Sequence, residues 1–259
     1  MEQKKSGAIA VVDSGVGGIS VLRELIMLMP SEKYIYLADS KNAPYGTKSK
    51  SEVLAIMLEN TDRLISLGAK AIVVACNTAT SAAVRVMREK YPEVPIVGIE
   101  PAVKPAVEAF ENPTVAVMAT PLTLSEEKFG TLIGRFEGRA DIIPLPCAGL
   151  MEIIESGHTD GEVVDTYLRK IFAHLDGKAV DAVVLGCTHY PFVKGAVQRY
   201  FGESTRIFDG GEGTAREAKR RIYESGLESG SDADIPEIEF ISTSGDKRVI
   251  ELCHRLLGL

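Results

Sequence analysis

Short unbroken runs of apolar, largely β-branched residues recur along the chain, and a stretch with apolar positions at helical spacing follows nearly every one. The runs are "AIAVVD" (8–13), "KYIYLAD" (33–39), "AIVVAC" (71–76), "PIVGIE" (95–100), "TVAVMAT" (114–120), "ADIIPLP" (140–146), "AVVLGC" (182–187), "TRIFDG" (205–210) and "IEFIST" (238–243). A strand with one face in water alternates apolar with polar positions. These do not alternate, so both faces are expected to be covered, as in parallel sheets flanked by helices. Helical spacing predicts helices over 18–29, 50–67, 79–90, 125–135, 162–175, 192–201, 213–225 and 246–257. Strands alternating with helices in this way predict an α/β fold.

The pattern also repeats. "AVVDS" (10–14) matches "AVMAT" (116–120) at an offset of 106, and "AIVVACNT" (71–78) matches "AVVLGCTH" (182–189) at 111. "PIVGIE" and "TRIFDG" are separated by about 111 as well. Matches in one order at nearly one offset predict a duplicated unit. The expected architecture is two similar doubly wound α/β domains, mainly parallel, related by pseudo-twofold symmetry, with the active site in the cleft between them. Residues 1–98 with 209–259 would form the first domain and 99–208 the second. The tail has no later counterpart, and its "EFISTSGD" can supply an edge strand to the first half. "ESGLESGSDADIPE" (224–237) reads as an exposed loop.

Composition narrows the classes. The chain has 259 residues and a net charge of −7 with no basic cluster, so nucleic acid is not expected as a main partner. No apolar run approaches the ~20 residues of a membrane span. The N-terminal apolar run, Ala8 to Val12, is too short for a signal-peptide core, so a cytoplasmic location is expected. The four cysteines, at 76, 147, 187 and 253, form no C-x-x-C pair and are expected to be free thiols.

In open α/β sheets ligands bind beyond the carboxyl ends of the strands, so the residues there carry the candidate chemistry. After the first strand comes "DSGVGG", with Asp13, Ser14 and three glycines. It has neither the G-x-G-x-x-G of a dinucleotide fold nor the G-K-[ST] of a P-loop. A glycine loop at a helix N-terminus can still present backbone N–H groups to an anion, and this one suits a carboxylate better than a pyrophosphate. The bland alternative is a tight turn with no ligand. After the second strand come Pro44, Tyr45 and Gly46. Cys76-Asn77-Thr78 and Cys187-Thr188-His189 occupy equivalent ends in the two halves. Each cysteine precedes a helix whose dipole favours the thiolate. Asn77, Thr78 and Thr188 can cap a helix or bind a ligand. Cys147, Cys253, His158, His174 and His254 lack such a setting and read as packing or surface residues. A metal at Cys76, Cys187 and His189, with Asp13 or Glu155 as fourth ligand, is the main rival, but no ligand pair has the usual spacing.

Two opposed thiols suit inversion of a stereocentre: one removes a proton from carbon and the other returns a proton to the opposite face. "DSGVGG", "PYG", "CNTAT" and "GCTHYP", in this order and spacing, resemble the cofactor-independent glutamate racemases of the aspartate/glutamate racemase superfamily. The resemblance covers about residues 8–210 and fits the tail. It implies Cys76 and Cys187 as catalytic acid/bases, acting on the α-proton of the D- and L-isomer respectively. It implies Asp13 in support of Cys76, and His189 in support of Cys187. An accessory glutamate aligns best with Glu155 in "CAGLMEIIESG", with Glu152 as the alternative; Ala148-Gly149 departs from the usual Cys-Pro-Leu pattern there. Asp13, Ser14, Tyr45, Gly46, Asn77, Thr78, Thr188 and His189 would bind the substrate, with Thr120 added as the repeat's equivalent of Ser14. The resemblance further implies glutamate as the partner, no cofactor and no metal, no membrane, a homodimer, and D-glutamate supplied for peptidoglycan. Aspartate racemisation is the near rival; a regulatory binding protein and a thiol-redox protein are the readings from other classes.

Overall fold

A computed structural model describes residues 6–125, 127–175, 177–229 and 235–258. Residues 230–234 of the expected 224–237 loop lie outside the described residues, as does most of the charged N-terminus. The nine apolar runs form nine strands: β1 (Ala8–Asp13), β2 (Tyr34–Ala38), β3 (Ala69–Val74), β4 (Ile96–Gly98), β5 (Thr114–Ala119), β6 (Asp141–Pro146), β7 (Ala182–Leu185), β8 (Arg206–Asp209) and β9 (Ile238–Ser242). They build two sheets, in the orders β4-β3-β1-β2-β9 and β6-β5-β7-β8, and every pairing is parallel. The chain divides into two compact units, Met1–Glu100 with Gly211–Leu259, and Pro101–Gly210.

The first four strands of each unit follow the same order. β3, β1 and β2 correspond to β7, β5 and β6, and β4 to β8; β9 extends the first sheet beyond β2. In each unit the first strand lies centrally, so later strands must be reached by crossover helices. These are α1 (Ile19–Leu28), α2 (Lys50–Ser66) and α3 (Asn77–Lys90) in the first unit. The second unit has α4 (Val103–Glu108), α5 (Pro121–Ser125), α6 (Glu127–Gly134), α7 (Leu150–Glu155), α8 (Glu162–Phe172) and α9 (Lys194–Phe201). The tail supplies α10 (Gly211–Glu224) and α11 (Lys247–Leu257), which pack with α1 in the first unit.

Strand periodicity explains why the runs are apolar throughout. Val115, Val117, Ala182 and Val184 point into one core, while Ala116, Met118, Val183 and Leu185 point into another on the opposite face. Each large side chain buried in this way contributes on the order of 1.5–3 kcal/mol. Helix boundaries depart from the expected ones at the strand ends. The helix expected from 79 begins at Asn77, and that expected from 192 is a 3-10 turn, Tyr190–Val193, running into α9. The helix expected over 125–135 falls mainly on α6, with α5 just before it. α4 and α7, six residues each, are too short to show a helical period.

Candidate active site

In the first unit, Asp13 ends β1 and is buried, its Oδ1 accepting the Gly15 N–H at 2.8 Å. The Tyr36 hydroxyl donates to the Gly15 carbonyl at 2.8 Å, which fixes the loop from the β2 side. Gly18, at the N-cap of α1, has no room for a side chain: a Cβ there would lie 2.8 Å from the Asp13 Cβ and 2.9 Å from the Ala75 Cβ. The last glycine of "DSGVGG" therefore has a packing reason. It lets the helix start sit directly on the strand ends.

Cys76 sits at the N-cap position of α3, in extended backbone, and makes no side-chain capping bond. Asn77 and Thr78 thus open the helix rather than cap it. The thiol is buried at the positive end of a fourteen-residue helix, whose dipole opposes the cost of burying a thiolate there. The Ser14 hydroxyl lies 3.9 Å from its sulfur. Tyr45 is buried, and its hydroxyl donates to Asp39 Oδ2 at 2.5 Å. Burial and that bond push the phenol well above its ordinary pKa, with the charges of Asp39, Cys76 and Asp13 adding to the shift. With the phenol so engaged, it is the backbone of the Tyr45–Gly46 turn that can face a ligand.

In the second unit, β7 delivers Cys187, Thr188 and His189. Gly186 donates its N–H to the Met118 carbonyl at 2.7 Å, and an added Cβ would come within 2.8 Å of the same oxygen. Cys187 is half-buried; Thr188 and His189 are buried. His189 Nδ1 lies 3.8 Å from the Cys187 sulfur, and its Nε2 lies 3.0 Å from Glu155 Oε1. Assigned from these partners, Nε2–H donates to the carboxylate and Nδ1 faces the thiol as a proton acceptor. Glu155 is therefore the carboxylate that touches the imidazole, whereas Glu152 is exposed one turn earlier.

Two tyrosines seat the loop before α7. Tyr190 donates to the Cys147 carbonyl at 3.2 Å and Tyr167 to the Ala148 carbonyl at 2.8 Å. Burial pushes both phenols up, so both remain donors. Cys147 is pushed up to about 12 by burial and by the charge of Cys187, which keeps it a thiol. Thr120 receives the Thr123 N–H at 3.2 Å and lies 2.9 Å from the Thr123 hydroxyl, so a ligand would compete with a capping role. Cys253 is buried in α11, where His254 stacks on Phe240 at 4.4 Å, and His158 is exposed beside Ser156.

Asp39, Tyr167 and Tyr190 were not among the expected functional residues. Asp39 had a visible signal: like Asp13, it directly follows an apolar run. Among the described residues, no three or more His, Cys, Asp or Glu side chains are grouped to hold a metal ion. Nor is any helix long and apolar enough to cross a membrane.

Residues 10–218 match the sequence family described as Asp/Glu/Hydantoin racemase. The chain is 47% identical over 256 residues to the glutamate racemase of Clostridium perfringens strain ATCC 13124, covering 98% of each. Among solved structures it is similar to the glutamate racemase of Francisella tularensis in complex with D-glutamate, with a TM-score of 0.83 and 26% identity, covering 98% of this chain and 95% of that one. It is equally similar in fold to the Escherichia coli glutamate racemase in complex with L-glutamate and the activator UDP-MurNAc-Ala, with a TM-score of 0.83 and 31% identity over 96% of this chain and 95% of that one.

Proposed function

The chain belongs to the Asp/Glu/hydantoin racemase family, and on that premise we propose that it interconverts L- and D-glutamate with the thiols of Cys76 and Cys187 as its two acid/bases. The observation that carries the reading is the pair of equivalent strand ends. Two sheets of one strand order each end in a cysteine flanked by hydroxyl, amide or imidazole side chains.

In the L-to-D direction the Cys187 thiolate takes the α-proton. The electron pair left on the α-carbon spreads into the adjacent carboxylate, and the Cys76 thiol gives its proton to the opposite face. The enzyme is left with Cys187 as thiol and Cys76 as thiolate, the form that the reverse reaction needs. No external electron sink enters this balance. Most of the stabilisation must therefore come from donors aimed at the substrate carboxylate, since a positioned base contributes about 10²–10⁴. Ser14, the Tyr45–Gly46 turn, Asn77, Thr78 and Thr188 are the donors we assign, with Thr120 in reserve. Asp13 and His189 contact both their cysteine's surroundings and the substrate. The mechanism requires both strand ends to meet at one bound glutamate.

The product would supply D-glutamate for peptidoglycan in the cytoplasm, from a homodimer. Incubation with L-glutamate or L-aspartate, followed by chiral separation, tests the substrate. D-glutamate formation without comparable D-aspartate formation is expected; preferential turnover of aspartate, or of neither, contradicts the assignment.

A further inference from the structure

We propose that the turn after β9, Ser242-Thr243-Ser244, is a clasp that positions the Tyr45–Gly46 turn through Asp39. Asp39 is fully buried, and four side chains from separate parts of the first unit converge on its carboxylate. Tyr45 donates to Oδ2 at 2.5 Å, and Asn60 of α2 donates to the same oxygen at 3.1 Å. The Asn42 amide donates to both oxygens at 3.1 Å. Thr243 donates to Oδ1 at 2.6 Å.

The Thr243 hydroxyl also accepts the Lys41 N–H at 3.1 Å, so it joins the carboxylate to the backbone beside it. The neighbouring serines repeat the link. Ser40 Oγ lies 2.8 Å from Ser242 Oγ and donates to Ser244 Oγ at 2.8 Å. Chain segments about 200 residues apart in sequence are thus bonded at residues 39–41, where the 39–47 loop leaves β2. Tyr45 packs into the core of the first unit, and the exposed remainder of the loop takes its geometry from such bonds. Asp39 and Thr243 are positioning residues: Asp39 holds the turn through Tyr45, and Thr243 acts on the turn through Asp39.

The proposal rests on the reading that the Tyr45–Gly46 turn binds glutamate. It predicts a loss of binding rather than of chemistry, because a misplaced binding turn weakens ground state and transition state alike. A purely structural Thr243 would instead lower the amount of active enzyme, leaving KM unchanged.

The test uses the full-length protein with Thr243→Val, which removes the hydroxyl at nearly constant shape, and Thr243→Ser, which keeps it. Thr243→Val is expected to raise KM for both enantiomers about tenfold, the scale of one hydrogen bond to a charged group, with kcat within about twofold; Thr243→Ser restores KM. Hydrogen exchange at amides 42–47 should quicken in Thr243→Val and recover in Thr243→Ser, while β1 and β3 stay protected. Should Thr243→Val fold poorly, Ser40→Ala cuts the serine links and is read by the same exchange. Unchanged exchange at 42–47, an unchanged KM or no rescue by serine overturns the clasp. Responsive exchange in a protein that does not racemise glutamate leaves the clasp standing and removes the glutamate reading instead.

Discussion

Matched by their hydrogen bonds, the strand ends of the two units pair off one by one. The N–H groups of Ala75 and Gly186 donate to the carbonyls of Val12 and Met118, and those of Asp39 and Cys147 to Asp13 and Ala119. This pairing sets Cys76 against Cys187 and Ser14 against Thr120. It also sets Asp13 against Ala119 and Asp39 against Cys147, so the first unit carries two carboxylates where the second carries none. The second unit brings its carboxylate from elsewhere: Glu155, on α7, reaches the thiol through His189. The first thiol meets the start of a long α-helix, whereas the second meets a 3-10 turn. One backbone position is held in common, and the surroundings of the sulfur there differ. Cys76 meets a helix N-terminus and a serine hydroxyl; Cys187 meets an imidazole–carboxylate pair.

The sharpest way to break the comparison is to remove each sulfur. Cys76→Ala and Cys187→Ala should each lower kcat/KM by at least about 10²–10⁴ in both directions, measured by chiral assay. A variant with near-normal activity would end the equivalence of the two positions.

The next effect probes the difference. Glu155→Gln and His189→Asn should cost about 10–100-fold, the loss of one charge-assisted hydrogen bond. Enantiomers are equal in free energy, so kcat/KM must fall equally in the two directions, and the asymmetry has to be read another way. With Cys187 slowed, the proposed mechanism predicts that the primary isotope effect grows for α-deuterated L-glutamate, whose deuteron Cys187 would remove, and much less for α-deuterated D-glutamate. Equal growth for both would mean that His189 serves both thiols.

Smaller effects come from the close approaches. Gly18→Ala and Gly186→Ala each force an atom to within 2.8 Å of a neighbour, and should cost about 1–3 kcal/mol in denaturant unfolding. Gly18→Ala should also reduce activity, since the displaced neighbour is Asp13.

The smallest effect concerns the exchange of Asp39 for Cys147. The folded chain holds the Cys147 proton up to about pH 12, while an unfolded thiol releases it near its ordinary value of 9.0. Its contribution to stability is intact below pH 9 and is lost as the pH rises toward 12. In Cys147→Ala, stability should fall less steeply above pH 9, by at most about 1.4 kcal/mol per pH unit. An unchanged slope would place the titration elsewhere.

Most of this arrangement was legible in the sequence because it depends on strand ends. Unbroken apolar runs mark buried parallel strands, and the repeat offset makes Cys76 the equivalent of Cys187 without any coordinates. What was not legible depends on contacts across long loops. Nothing in "KYIYLADSKNAPYG" announces that Asp39 would gather Thr243 from the far end of the chain. The short helix α7 has no period to read; the resemblance alone favours Glu155 over Glu152, and the structure puts Glu155 against His189. Cys76 was expected just before a helix, but its place at the N-cap itself followed only from the backbone.

Racemisation of L-glutamate in D₂O, stopped at low conversion and followed by NMR at the α-carbon, tests the two-thiol account most directly. If separate thiols remove and return the proton, deuterium appears in the D-glutamate formed, while the remaining L-glutamate keeps its proton. Deuterium entering the remaining L-glutamate as fast as the product, or product that retains the original proton, would show one group working on both faces and contradict the account.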